Sequence, residues 1–185
     1  MKEKSTIFKI ATVGVFGALV FVSSMISVPI PVAIGDVTRI HLGNIFCLLS
    51  GLVLGPVGGG LAAGIGSALY DITNPAYIAS APFTFLFKFI LALVAGLVAY
   101  SRGNNGRNVK FNILGCALGQ IAYIVLYLTK SFVTGILEGS AVGAIIPSII
   151  TKLGTSSINA VIAVIFAVPL CMAVRAALHK SKLLS

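Results

Sequence analysis

Two short apolar runs joined by a Gly-Pro pair, residues 42–54 and 57–70, constrain the fold of this chain most strongly. Each run is too short to cross a hydrocarbon layer of about 30 Å as a straight helix that rises about 1.5 Å per residue. We therefore predict that the far ends of both runs lie inside the membrane. Irregular backbone and charge at that depth are tolerated only where protein or a wet cavity surrounds them. The stretch 35–82 thus predicts a polar pocket that opens toward one face.

Polar side chains stand at the two ends that this argument places in the membrane. Around the start of the first run they are Asp36, Arg39, His41 and Asn44, and around the end of the second run they are Tyr70, Asp71, Asn74 and Tyr77.

The composition excludes a soluble protein and predicts an all-α integral membrane protein. The chain is 58% apolar and only 9% charged, which leaves too little polar surface to cover a globule. Its 185 residues have room for six helices in a single domain, 1–185, with helices 2 and 3 short. The predicted helices are about 5–26, 40–54, 57–71, 82–100, 112–132 and 153–178, with outer loops at 28–38 and at 134–152, the second holding a short helix.

The positive charge of the chain predicts its orientation. The net charge is +9, and most basic residues lie outside the apolar runs. In a six-span layout these clusters fall on one side, which the positive-inside rule makes cytoplasmic, together with both termini. Because no aromatic-basic interleaving is present, we expect no nucleic-acid partner. The clusters are Lys2, Lys4 and Lys9, then Arg102, Arg107 and Lys110, then Arg175, Lys180 and Lys182.

Later helices supply further candidates for the pocket. Lys88 lies about two turns into helix 4, where a charge is costly unless it faces the protein interior, so we predict that it faces inward. Gln120, Tyr123, Tyr127 and Lys130 follow at spacings of three, four and three, which puts them on one helical face. Glu138 lies in the second outer loop, and Asn159 lies in the outer part of helix 6.

The sequence carries no signature of catalysis or of a cofactor. It has no nucleotide-binding loop, HExxH or GxSxG motif, and its three cysteines are isolated in apolar runs, so we expect neither an enzyme nor a metal site. The glycines of helix 3 lack the Lys-Ser/Thr of a phosphate loop, and Gly60 and Gly64 instead predict close helix packing. The single Asn74-Pro75-Ala76 does not indicate a water channel, which needs two copies.

A stripe of small residues on helix 1 has two interpretations. Ala11, Gly14 and Ala18 recur at helical spacing and allow another helix to approach closely in lipid. The approaching helix could belong to this chain or to a separate membrane subunit.

These features together resemble the substrate-binding S components of energy-coupling factor (ECF) transporters. The resemblance lies in the six helices, the Ala11/Gly14/Ala18 stripe, the segment HLGNIFCLLSGLVLGPVGGGLAAGIGSALYD and the stretch from Pro82 to Lys88. It covers nearly the whole chain and is closest to the hydroxymethylpyrimidine or pyridoxine branch, near the riboflavin-type members.

The resemblance implies a vitamin importer of the bacterial plasma membrane. An S component captures its vitamin outside and docks through helix 1 on a transmembrane T component driven by two cytoplasmic ABC ATPases. Alternatives are another substrate, such as riboflavin or a queuosine precursor, a stand-alone channel or carrier, and a membrane enzyme that uses His41 with Asp71. Mapped onto this chain, the implied substrate-binding residues are Arg39, His41, Asn44, Tyr70, Asp71, Asn74, Lys88, Tyr123, Tyr127, Lys130, Glu138 and Asn159.

Overall fold

The computed structural model describes the backbone of residues 2–33 and 37–180 and the side chains of residues 7–33 and 37–178. Within these ranges the chain forms a bundle of six α-helices, and one two-stranded antiparallel hairpin is the exception to the predicted all-α class. The elements are α1 Lys2–Met25, β1 Ser27–Ile30, β2 Thr38–His41, α2 Gly43–Leu54, α3 Pro56–Thr73, α4 Ala81–Tyr100, α5 Val109–Leu137 and α6 Val142–Lys180.

Four segments in the described part of the chain are long and apolar enough to cross a membrane. They are Ile7–Met25, Ile78–Gly103, Val109–Leu137 and Val142–Leu178. This finding supports a multi-pass membrane protein. The six-span layout and the cytoplasmic termini stay predictions.

Helix α2 is the centre of the bundle. It packs against α1, α3, α4 and α6, and ten of its twelve residues are buried. Twelve residues rise only about 18 Å, so α2 is as short as the sequence predicts. Helix α3 is longer than predicted, because its eighteen residues rise about 27 Å.

The turn between α2 and α3 depends on glycine. Gly55 has a φ of +81°, which an L side chain rarely adopts, and Pro56 begins α3 where a missing N–H costs nothing. A Cβ on Gly59 would overlap the backbone of Gly51, so the two helices approach backbone to backbone. The short apolar runs therefore fold into one tight helical hairpin.

The predicted close packing at Gly60 and Gly64 is confirmed, and the partner is α4. A Cβ on Gly60 would lie 2.9 Å from the ring of Phe89, and one on Gly64 would lie 2.9 Å from the carbonyl oxygen of Phe85. Small residues here let α3 and α4 approach closely.

The predicted loop 28–38 contains most of β1 and the first residue of β2, and the predicted helical start at residue 40 is wrong. Val28 pairs with Ile40 and Ser27 with His41, so helix begins only at Gly43. Alternating β-branched residues explain the strands, since they favour extended backbone. Asp36, a predicted pocket residue, lies outside the described residues.

The predicted outer loop 134–152 is also wrong. Helix α5 continues to Leu137 and α6 already begins at Val142, so a four-residue connection joins two long helices. Gly135 lies inside α5, where an added Cβ would be 3.1 Å from Ile145, so this glycine serves helix packing. Pro147 lies inside α6. Pro is tolerated in membrane helices where neighbouring groups satisfy the backbone groups that it leaves without a hydrogen bond.

The bundle has two ends, the turn end, which holds Gly55, and the hairpin end, which holds β1 and β2. At the turn end the Tyr100 hydroxyl donates to the carbonyl of Val53 (2.8 Å), and Arg175 Nη2 donates to the carbonyl of Leu52 (2.7 Å). The chain alternates between the ends, so Lys9, Arg102, Arg107, Lys110 and Arg175 belong to the turn end. The side chains of Lys2, Lys4, Lys180 and Lys182 are outside the described part.

Candidate substrate-binding site

The hairpin end is held in place by Asn159 of α6. The Asn159 Oδ1 accepts a hydrogen bond from the backbone N–H of His41 (3.0 Å), and its Nδ2 donates to the carbonyl of Arg39 (2.8 Å). β2 is therefore bonded on both edges, by β1 and by this amide. Asn159 positions the hairpin and does not line the cavity described below.

Arg39 is the central cation of the site. Its Nη2 lies 3.1 Å from Asp71 Oδ1 in the last turns of α3, and the two side chains are 12% and 4% exposed. Its guanidinium carbon lies 4.1 Å from the ring centroid of Tyr70 and 4.4 Å from that of Tyr77. A desolvated cation–π contact can contribute about 2 kcal/mol. The predicted residues before α2 and at the end of α3 thus meet, as the sequence argument required.

His41 makes a local hydrogen bond. Its Nδ1 accepts a hydrogen bond from the backbone N–H of Gly43 (3.1 Å), which satisfies a free donor at the start of α2. Burial above all, and then the charges of Lys88 and Arg39, hold the pKa of His41 well below its ordinary value. The hydrogen bond and the low pKa both favour a neutral, structural imidazole.

Lys88 faces the interior, as predicted. Its ammonium group donates to Asn44 Oδ1 and lies 3.9 Å from the ring centroid of Tyr123. Asn44 Nδ2 donates in turn to Gln120 Oε1 (3.3 Å), and Lys88, Asn44 and Gln120 are each at most 3% exposed. A buried polar chain therefore links α4, α2 and α5 beneath the hairpin.

The polar-aromatic stripe predicted on α5 forms a stack. Tyr123 and Tyr127 lie parallel, at 3°, with ring centroids 5.9 Å apart. Lys152 of α6 is 5.6 Å from the Tyr127 ring and donates to Ser131 Oγ (3.1 Å). Two lysines from different helices thus flank one tyrosine pair.

Lys130 continues the stripe at the hairpin end. Its ammonium group donates to Ser80 Oγ (3.1 Å) and lies 5.6 Å from the ring of Phe83. It thereby ties α5 to the connection that precedes α4.

A cavity of about 70 Å³, open on one side, lies among these groups. Its wall is part cationic, part aromatic and part hydroxylic. The lining residues are Val37, Thr38, Arg39, Asp71, Tyr77, Ser80, Phe83, Thr84, Phe87, Tyr127 and Lys130. Such a wall can stack a flat ring and donate hydrogen bonds to it.

Not every predicted residue reaches the cavity. Arg39, Asp71, Tyr127 and Lys130 line it. Tyr70 supports them by direct contact. Tyr123 stacks on the lining residue Tyr127, and Lys88 and Asn44 lie farther back behind Tyr123.

Asn74 and Glu138 serve local turns in the described structure. Asn74 Oδ1 accepts from the backbone N–H of Ala76 (3.1 Å), so Asn74-Pro75-Ala76 forms a turn after α3. Glu138 is exposed and ends α5.

The sequence argument missed several contributors. Lys152 is 2% exposed. The argument applied to Lys88, that a charge at membrane depth faces the interior, would also have identified Lys152 if residue 152 had been assigned to a helix and not to a loop. Ser80, Phe83 and Thr84 carry no signal of their own, because only the turn before α4 brings them to the cavity.

The small-residue stripe on α1 is exposed in the described structure. Ala11, Gly14 and Ala18 face outward, and a Cβ on Gly14 would meet nothing within 4 Å. An apolar groove of about 500 Å³ runs beside it between α1 and α3. The alternative that this stripe packs against another helix of the same chain is therefore wrong for the described residues.

Comparison with known proteins agrees with this picture. The family model described as ECF-type riboflavin transporter, S component, matches residues 4–176. A protein of Pyrococcus woesei, described as an uncharacterized protein in the gap 3′ region, is 30% identical over 116 residues, which cover 63% of this chain and 72% of the relative.

Proposed function

The chain belongs to the family of ECF-type riboflavin transporter S components, and from that premise we propose that it binds a vitamin-like small molecule at the hairpin end. The members of this family are components of a transporter, which is consistent with the absence of catalytic motifs in the sequence. The ligand that we propose is a small heteroaromatic vitamin or precursor. Riboflavin, pyridoxine and hydroxymethylpyrimidine are the candidates to test first.

One observation supports this proposal most strongly, and it is the setting of Arg39. A guanidinium group held between two tyrosine rings and a buried carboxylate is costly to assemble. Its neighbours at the cavity add hydroxyl donors and a second tyrosine surface. A flat ring with polar substituents satisfies both kinds of group at once.

The orientation follows from the placement of the basic residues. Among the described residues, the basic residues outside the candidate site lie at the turn end, which the positive-inside rule assigns to the cytoplasm. The hairpin end then faces the outside of a bacterial plasma membrane, where a nutrient is captured.

A ligand of this class must widen the cavity. Pockets for small molecules hold about 300–1,000 Å³, whereas the described cavity holds about 70 Å³. We propose that the cavity widens when the ligand enters.

Delivery requires partners, and the exposed stripe is where we place them. Ala11, Gly14 and Ala18 offer a smooth helical surface that no described part of this chain covers. We propose that a T component, driven by two cytoplasmic ABC ATPases, docks there through close helix–helix contact.

Ligand binding is tested by thermal unfolding of the purified protein with a panel of B-group vitamins. A ligand at one hundred times its Kd stabilises the native state by about 2.7 kcal/mol. At least one member of the panel should raise the unfolding temperature. If none does, the proposed function is wrong.

Docking is tested with Gly14→Leu and a matched control, Gly154→Leu, since both glycines have open space at the Cβ position. Gly14→Leu should abolish uptake by the assembled transporter and leave vitamin binding unchanged, whereas Gly154→Leu should alter neither. Loss of binding in Gly14→Leu would contradict the docking role. Vitamin flux through this protein alone in liposomes would indicate a stand-alone carrier.

A further inference from the structure

We propose that the molecule bound at the hairpin end carries a negative charge, as a carboxylate or a phosphate monoester on a ring. This inference rests on the proposed function, because it specifies the ligand of the same site. Its basis is the balance of charges and of unpaired donors around the cavity.

The charge around the site is strongly unbalanced. Arg39, Lys88, Lys130 and Lys152 contribute four positive charges from four different elements. Among the described residues, Asp71 is the one carboxylate at the cavity. The excess is therefore three positive charges within the described part of the site.

The sequence limits how far this excess can fall. The whole chain has four acidic residues, Glu3, Asp36, Asp71 and Glu138. Even if three of these faced the ligand, four cations would still outnumber them. Glu138 is exposed and ends α5, so it does not reduce the excess at the cavity.

Among the described residues, the buried polar atom at the cavity that lacks a hydrogen-bond partner is a donor, Arg39 Nη1. Arg39 uses its other terminal nitrogen for Asp71. Gln120 Nε2 is also buried and unpaired, but Gln120 does not line the cavity. A buried donor without an acceptor is destabilising, so the ligand is expected to bring an acceptor to Arg39.

The geometry places the anionic group between Arg39 and Lys130. Both side chains line the cavity, one from the hairpin and one from α5. An oxyanion between a guanidinium and an ammonium group receives charge-assisted hydrogen bonds, which are stronger than neutral ones. The 70 Å³ that is already open suits such a small group, and the ring of the ligand would then meet Tyr77 and Tyr127.

The test uses three pairs of compounds that differ chiefly in one acidic group. They are nicotinamide and nicotinic acid, pyridoxine and pyridoxine 5′-phosphate, and riboflavin and its 5′-phosphate. Equilibrium binding of each compound to the purified full chain is measured at low and at high salt. We expect the acidic member of at least one pair to bind at least tenfold more tightly, with an advantage that shrinks at high salt. The first pair against the other two distinguishes a carboxylate from a phosphate.

A variant locates the charge effect. Lys130→Gln should reduce the preference for the acidic member at least fivefold. Lys110→Gln removes a lysine that is exposed at the turn end and should leave this preference unchanged. An unchanged preference in Lys130→Gln would contradict the placement of the anion.

The outcomes separate the two proposals. If a neutral member binds as tightly as its acidic partner in every pair that binds, the anionic ligand is ruled out and the vitamin-binding function stands. If the full B-group panel and all six compounds fail to bind, the proposed function fails and this inference fails with it.

Discussion

The two ends of the bundle use the same residue types for different purposes. At the turn end, Arg175 Nη2 donates to the carbonyl of Leu52 and to the Tyr100 hydroxyl (2.7 and 2.9 Å), which satisfies free acceptors at the end of α2. At the hairpin end, Arg39 instead directs its guanidinium group to two tyrosine rings and a carboxylate. Each arginine leaves one buried nitrogen unpaired, Nε in Arg175 and Nη1 in Arg39, but of the two it is Arg39 that lines the cavity. An arginine beside a tyrosine therefore indicates a ligand only when its guanidinium group also borders a cavity.

The largest effect should come from breaking the ion pair at the hairpin end. Asp71→Ala leaves the Arg39 charge buried without its carboxylate, which should lower the free energy of unfolding by about 3–5 kcal/mol. Thermal or denaturant unfolding in one detergent measures it. Arg39→Met combined with Asp71→Ala removes both charges and should recover most of that loss. A double variant no more stable than Asp71→Ala would show that the pair is not the source of the effect.

The matching change at the turn end should affect stability alone. Arg175→Met removes hydrogen bonds from a charged donor to the carbonyls of α2, and each such bond contributes about 1.5–3 kcal/mol. We expect a loss of that order in the free energy of unfolding, with vitamin affinity changed less than twofold. A large loss of affinity in this variant would erase the distinction between the ends.

The buried lysine beneath the hairpin should affect binding more than stability. Lys88→Met removes the cation over Tyr123 and the donor to Asn44 but keeps a side chain of similar length. We expect about tenfold weaker vitamin binding, or about 1.4 kcal/mol, because the tyrosine pair loses its support. Isothermal titration measures it, and Lys110→Met is the control at the exposed turn end. Tighter binding in Lys88→Met would contradict a supporting role.

The smallest effect belongs to a single hydroxyl at the turn end. Tyr100→Phe removes the donor to the Val53 carbonyl and an acceptor for Arg175, while the ring stays in place. A neutral hydrogen bond contributes about 0.5–1.5 kcal/mol to stability, and we expect a loss in that range. A change in ligand affinity, measured in parallel, would argue that the two ends are coupled.

The sequence arguments predicted which side chains meet at the hairpin end better than they predicted the secondary structure there. The short apolar runs predicted that Arg39 and Asp71 lie at the same end of the bundle, and the cost of charge in lipid predicted that Lys88 faces inward. These arguments depend on the thickness of the bilayer and on the cost of charge in lipid, which apply to any residue whatever its tertiary neighbours are.

The errors came from signals that depend on tertiary context. Gly135, Gly139, Gly143 and Pro147 suggested a loop, but Gly135 packs against α6 and the actual break needs only four residues. The strands were missed because each has only four residues, and an alternation of β-branched residues over so short a segment does not distinguish a strand from a loop. Asn159 was named as a ligand residue, yet it holds β2, which no single-sequence pattern could reveal.

The most direct test of the account is equilibrium vitamin binding to three proteins in parallel. They are the unaltered chain, Arg175→Met, and the double variant Arg39→Met with Asp71→Ala. The account predicts that a vitamin binds the first two with affinities within twofold and binds the double variant at least a hundredfold more weakly. Equal affinity in the double variant, provided that it is folded, would contradict the claim that the hairpin end is the binding site.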